Sequence, residues 1–210
     1  VSGSLHVDRV VTSGTFSLDG GTWEVGNNVW VVGNDDECVI IDAAHDARPI
    51  LDAVAGRTVV AILLTHGHDD HIGVAGQLRE ATGAPTYLHL EDRMLWDRVH
   101  TSEPDHKLDD GDRITLGGAQ VNVLHTPGHA PGACSFYVPE LGEVFTGDTL
   151  FQGGPGATGR SFSDFPTIIE SITEKLLTLP ADTVVHPGHG ADTTIGAEAP
   201  DLPTWLDRGH

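Results

Sequence analysis

The stretch LLTHGHDDHIGVAG, residues 63–76, sets His66, His68, Asp69, Asp70 and His71 directly behind a run of aliphatic residues. Imidazoles and carboxylates are the side chains that hold divalent cations. A lone His-x-His pair reads equally well as two polar residues on an exposed strand. Asp70 and His71 in the same turn change that reading, because crowded partial charges cost stability unless something cationic binds among them. If the preceding TVVAILLT is a strand whose extended backbone runs on briefly, His66 and His68 project to one side. Asp70 and His71 then follow where a helix should begin.

Further ligands are expected at other strand ends. His129 stands in the Pro-Gly turn of LHTPGHAPGACSFYV, Asp148 follows a Gly in VFTGDTLF, and His189 stands in a second Pro-Gly turn in VVHPGHGADTT. Each is delivered on a Gly-containing loop, as functional groups mounted on a rigid sheet usually are. The set His66, His68, Asp70, His71, His129, Asp148 and His189 suffices for two metal ions sharing one carboxylate. The other histidines have plainer readings. His125 and His186 each end a strand or hydrogen-bond a neighbour, and His6, His89, His100, His106 and His210 are surface or structural. His45, on a loop after IIDAA, is a candidate substrate contact.

The elements that must position these groups come in two strand-then-helix runs. LHVDRVVTSGTF, NNVWVVGN and ECVIIDAA are β-branched or aromatic runs between turn signals, followed by a helix over Ala47 to Ala55 and the buried strand TVVAILLT. Val74 to Thr82 reads as helix, PTYLHL as a short strand and EDRMLWDRV as another helix. Strands return in DRITLGG, AQVNVLHT, ACSFYV and EVFTGDTL. In FPTIIESITEKLLTL a helical stripe places Ile168, Ile169, Ile172, Leu176 and Leu177 on one face, and TVVHPGHG closes with a strand. Two such runs predict two sheets with helices packed outside them, in one domain over 1–210 with no repeat or linker.

The 210 residues, 39% of them hydrophobic, can supply a proper core. Eleven Lys and Arg against 31 Asp and Glu give a net charge of -20, which repels phosphate backbones and anionic lipid. Nucleic acid and membrane are therefore poor partners, and a small-molecule substrate is expected. Cys38 and Cys134 lie in apolar runs and read as reduced, buried thiols of a cytoplasmic protein. VSGSLHVDRVV has neither the basic nor the apolar region of a secretory signal and no apolar run reaches membrane length, so a soluble, cytoplasmic protein is expected. Trp23, Trp30, Trp96 and Trp205 are core or interface candidates, with core expected for those in strands. Nothing here sets an oligomeric state.

The combination Thr65-His66-Gly67-His68-Asp69-Asp70-His71, Thr126-Pro127-Gly128-His129, Gly147-Asp148-Thr149 and Pro187-Gly188-His189 resembles the metallo-β-lactamase superfamily over nearly the whole chain. The resemblance implies an α+β fold, a four-layer αββα sandwich with the site at the shared edge of its two sheets. It also implies a partition: His66, His68 and His129 on one metal, Asp70, His71 and His189 on the other, Asp148 between them, and Asp42 of IIDAA supporting the ligands from behind. Zn is the default metal, with Fe or Mn as alternatives. Such a pair makes hydroxide available at neutral pH and polarises the bond it attacks, with Asp70 orienting the nucleophile beside His66 and His68 as the catalytic set.

Within the superfamily, an Asp at position 148 is similar to glyoxalase II, whereas zinc β-lactamases usually place Cys there. The stretch from Gly147 to Glu198 is similar to compact glyoxalase II-like proteins of bacteria. A thioesterase suits a site without a dedicated general acid, because a thiol of pKa ~8.5 leaves readily as thiolate. The Lys and Tyr that hold glutathione in those enzymes are missing, and Arg160 is the nearest cation. It either contacts substrate or pairs with Asp164 or Asp182. The expected substrate is then a thioester of a different low-molecular-weight thiol, such as mycothiol. The alternatives are a lactonase, a persulfide dioxygenase with one Fe(II) on His66, His129 and Asp148, and a non-catalytic metal-holding protein.

Overall fold

The computed structural model describes residues 3–210. Its first half builds one six-stranded sheet from β1 (His6–Leu18), β2 (Gly21–Gly33), β3 (Glu37–Ile41), β4 (Thr58–Leu63), β5 (Thr86–Leu88) and β6 (His106–Lys107), in that spatial order. Helices α1 (Ala47–Val54), α2 (Asp69–Ile72), α3 (Ala75–Thr82) and α4 (Arg93–Trp96) connect them. The second half adds β7 (Arg113–Leu116), β8 (Ala119–His125), β9 (Cys134–Val138), β10 (Glu143–Gly147), a small pair β11 (Leu150–Phe151) and β12 (Gly154–Pro155), and β13 (Val184–Pro187) and β14 (Thr193–Thr194). Helices α5 (Phe165–Ser171), α6 (Ile195–Glu198) and α7 (Leu202–Arg208) cover this half. The second sheet runs β14-β13-β10-β9-β8-β7.

Alternation along the strands creates the layers. Val29, Val31, Cys38 and Ile40 face outward onto Ile50 and Val54 of α1 and Leu78 of α3. Their neighbours Trp30, Val32, Val39 and Ile41 face inward onto Val121, Val123, Phe136 and Phe145 of the other sheet. On the far side Val144 and Val185 meet Ile168, Ile172, Leu176 and Trp205. Three apolar cores between four layers give the αββα sandwich.

The structure departs from the sequence reading in several places. Strands β1 and β2 form one long hairpin through Asp19 and Gly20, whose φ values of 52° and 77° suit a two-residue turn. The outer half of β2 was not legible because its TWEV segment is solvent-facing and carries no apolar run. EDRMLWDRV forms only a 3₁₀ turn at Leu90–Asp92 and the short α4. The long C-terminal helix is split: α5 passes into a π-helical turn at Ile172–Leu176, leaving Leu177 only partly buried. EVFTGDTL is likewise two elements, because Gly147 at φ 51° turns the chain and puts Asp148 on the bend. Trp23 lies in a strand yet is 39% exposed, contrary to the expected core position. Cys38 and Cys134 are free and buried. No helix among the described residues is long and apolar enough to cross a membrane.

Candidate metal centre

Four strands end at one edge of the sandwich. After β4 come His66 and His68, with Asp70 and His71 in α2; after β8 comes His129, after β10 Asp148 and after β13 His189. The seven side chains named from the sequence meet there in three overlapping groups.

The first group is all imidazole. His68 Nδ1 lies 3.0 Å from His66 Nε2 and 3.1 Å from His129 Nε2. The far nitrogens decide what these atoms are. His129 Nδ1 donates to the Ala157 carbonyl at 2.8 Å, so its Nε2 presents a lone pair. Thr65 Oγ1 donates to Asp42 and, at 3.1 Å, has a lone pair free for His66 Nδ1, which leaves His66 Nε2 bare as well. Lone pairs facing one another in a buried space repel unless a cation lies between them.

The second group carries carboxylates. His71 Nε2 is 3.2 Å from His189 Nε2 and 3.3 Å from Asp70 Oδ2. Again the far nitrogens are committed: His71 Nδ1 donates to Asp42 at 2.7 Å and His189 Nδ1 to the Gly26 carbonyl at 2.7 Å. Asp148 spans both groups, with Oδ2 3.5 Å from His129 Nε2 and 3.3 Å from His189 Nε2, and Oδ1 3.3 Å from His71 Nε2. Asp148 Oδ1 and His68 Nε2 are buried without a hydrogen-bond partner. Bare imidazole nitrogens in the first group, rings held from behind in both, and an unpartnered carboxylate oxygen between them fit a pair of divalent cations.

The two groups differ in charge. Burial, then the neighbouring imidazoles, holds His66 well below its ordinary value and brings His68 to about 3. Burial would also lower His71 and His189, but Asp70 and Asp148 override it, raising His71 and bringing His189 to about 10. Asp70 and Asp148 are pushed up by burial and pulled further down by those imidazoles, so both stay ionised.

The sequence profile of the metallo-β-lactamase superfamily matches residues 22–189. The chain belongs to that superfamily. Among curated relatives, a probable metallo-hydrolase of Bacillus subtilis, YqgX, is 38% identical over 184 residues, covering 80% of this chain and 87% of its own. Hydroxyacylglutathione hydrolase GloC of Haemophilus influenzae is 36% identical over 182 residues, covering 78% and 86%. Three solved structures are similar. The BLEG-1 B3 metallo-β-lactamase has a TM-score of 0.78 at 36% identity, over 92% of this chain and 99% of that one. TTHA1623 in a di-iron-bound form scores 0.74 at 37% identity, over 83% and 93%. ETHE1 from Myxococcus xanthus scores 0.74 at 28% identity, over 91% and 83%. The chain is thus a metallo-hydrolase-type member of the superfamily, with its His and Asp cluster at the metal-binding edge.

Beside the cluster opens a cavity of about 450 Å³. Phe16, Trp23 and Val25 of the β1–β2 hairpin form its apolar wall, and His68, Asp70, His129, Asp148 and His189 its polar end. Arg160 completes the rim, with its guanidinium 3.8 Å from the centre of the Trp23 ring. Among the described residues it has no carboxylate within salt-bridge distance. The expected alternative pairing with Asp164 is not formed, because Asp164 instead caps α5 by accepting from the Thr167 N–H. His45 is not part of this lining; its Nε2 meets Asn27 Oδ1 at 2.7 Å, behind the cluster. The half-buried His45 ring thus stands outside this cavity's lining and meets Asn27, which in turn holds Asp70.

Sequence reasoning passed over three supports. Asn27 Nδ2 donates to Asp70 Oδ2 at 3.0 Å, and Asn28 Nδ2 to the Pro187 and Gly190 carbonyls on either side of His189. Two amides directly ahead of the apolar run Val29 to Val32, both fully buried in the fold, were the available signal. Asp92, buried by the 3₁₀ turn, had none.

Proposed function

We propose that this protein is a binuclear metallohydrolase that cleaves the acyl thioester of a small thiol. One observation carries the reading: Asp148 stands between an all-imidazole group and an imidazole-carboxylate group at the polar end of an open, apolar cavity. His66, His68 and His129 would hold one cation, Asp70, His71 and His189 the other, with Asp148 shared. When bound, the pair supplies hydroxide at neutral pH and polarises a carbonyl.

The chain's own residues do the rest. Asn27 fixes Asp70 Oδ2, so the carboxylate faces the cluster in one orientation and can steer the attacking oxygen or accept its proton. The Phe16 and Trp23 wall excludes water from the acyl side and Arg160 offers a charge for the carrier. The cavity lining holds no proton donor independent of the proposed ligands apart from Arg160, which suits a thiolate leaving group better than an amine. The relationship to GloC supports the same class. A small substrate in an acidic chain also fits better than nucleic acid.

The likeness to ETHE1 favours a second reading, a persulfide dioxygenase on one iron held by His66, His129 and Asp148. Steady-state kinetics with lactoyl thioesters of glutathione and mycothiol, a lactone, a cephalosporin and a glutathione persulfide separate these. Thioester turnover at least ~100-fold above the others supports the proposal. Oxygen uptake with the persulfide and no thioester turnover replaces it, and preference for glutathione removes the expected alternative carrier.

A further inference from the structure

Asp92 is fully buried and lies outside the ligand set. Its two oxygens are spent on two different loops: Oδ2 accepts the Gly67 N–H at 2.7 Å, and Oδ1 accepts the Gly132 N–H at 2.6 Å. Gly67 separates His66 from His68, and Gly132 lies three residues beyond His129. Both glycines sit so close that a Cβ would press on Asp92: the nearest Asp92 side-chain atom would be 3.0 Å away at Gly67 and 2.8 Å at Gly132. Beneath the carboxylate, Leu95 of α4 packs on Ala130 and Ala133 of the same loop.

We propose that Asp92 is a positioning residue that sets the spacing of the three imidazoles His66, His68 and His129 by clamping their two loops through backbone N–H groups. This rests on the metal-pair reading above. Its two hydrogen bonds fall on the loops of the first group, while the side chains of the second are oriented by other partners. Asp42 orients His71, Asn27 orients Asp70 and the Gly26 carbonyl orients His189, none of them through Asp92. A carboxylate is required because both bonds need an acceptor. Asn at this position keeps the volume but turns an amide N–H toward one of the two backbone donors.

The test isolates each group. Asp92→Asn is placed in a His189→Ala background, where only the three-imidazole group is complete, and in a His129→Ala background, where only the second is. Cobalt(II) affinity of each metal-free protein is measured by competition with a chelator and read from the cobalt absorption bands. Circular dichroism checks folding, and Leu95→Ala controls for general loosening of α4. The expected result is a ~10- to 100-fold loss in the His189→Ala background, of the size typical for residues that orient metal ligands, and less than about twofold in the other. Leu95→Ala should lower the melting temperature while leaving both affinities nearly unchanged. Equal losses in both backgrounds, no loss in either, or the same selective loss from Leu95→Ala would overturn the clamp alone. Failure of the His189→Ala protein to bind any cobalt would overturn the clamp together with the metal-pair reading.

Discussion

The two halves of the cluster are built on opposite principles. His66 and His68 are held neutral by burial, and with His129 they ride on loops tied by backbone hydrogen bonds, to Asp92 and, through Cys134 N–H to the Thr65 carbonyl at 2.7 Å, to each other. Asp70, His71 and His189 are a charged network in which two carboxylates keep protons on two imidazoles, each oriented by a side chain or carbonyl. One half is fixed by shape and the other by charge. The first should accept a cation with little proton traffic, whereas the second must release protons to do so.

The largest effect should come from breaking the group that joins the halves. Asp148→Asn removes the shared negative charge, and kcat/KM should fall on the order of 10³-fold with loss of metal, read by elemental analysis beside steady-state kinetics. Next, Asp42→Asn weakens the 2.7 Å bond that orients His71. It should cost ~10- to 100-fold in metal affinity at the charged half, measured in the His129→Ala background, with a smaller loss at the other half because Asp42 also holds Thr65 beside His66.

Proton release sharpens the contrast further. His71 and His189 are raised, the latter to about 10, so at pH 7 both carry protons that an incoming cation displaces. Affinity of the charged half should therefore rise with pH up to about 10. Calorimetry at pH 7 in buffers of different ionisation enthalpy should show net proton release on metal binding there, from His71 and His189, whereas His66 and His68 have no proton to give. The same shifts set the stability of the metal-free protein. Raised histidines stabilise the fold fully below about pH 6.5 and lose that contribution as pH climbs through about 10. The depressed Asp70 and Asp148 contribute above about pH 4, and their contribution is lost on acidification.

The smallest effect concerns the rim. Arg160→Ala leaves the cluster intact and should raise KM for an anionic thioester by about fivefold with kcat retained, because an exposed charge contributes little more than that. An unchanged KM would assign Arg160 to holding Trp23 alone.

The seven positions that meet at the sheet edge were legible as candidates because rare side chains recur at the ends of apolar runs, where a strand stops and a Gly-containing turn begins. The sandwich was legible for a related reason, since Val29 to Val32 and Cys38 to Ile41 are apolar on both faces and so must be covered twice. What escaped is whatever depends on contact across the chain. Asp92 meets Gly132 forty residues away with no local pattern to mark it, and Asn27 meets Asp70 at a separation of 43, its one local sign being an amide beside an apolar run. The aromatic wall also escaped, because Phe16 and Trp23 become neighbours only once the hairpin forms, with ring centres 5.8 Å apart. The helices α6 and α7 were passed over for want of periodicity in two short turns, although Trp205 anchors them in the core.

The most direct test is metal content per chain by elemental analysis on protein purified without chelator, with thioester hydrolysis assayed on the same sample. Two metals per chain, with turnover that disappears on chelation and returns on reloading, is the predicted result. One iron per chain with oxygen consumption on a persulfide, and no thioester turnover, would contradict it.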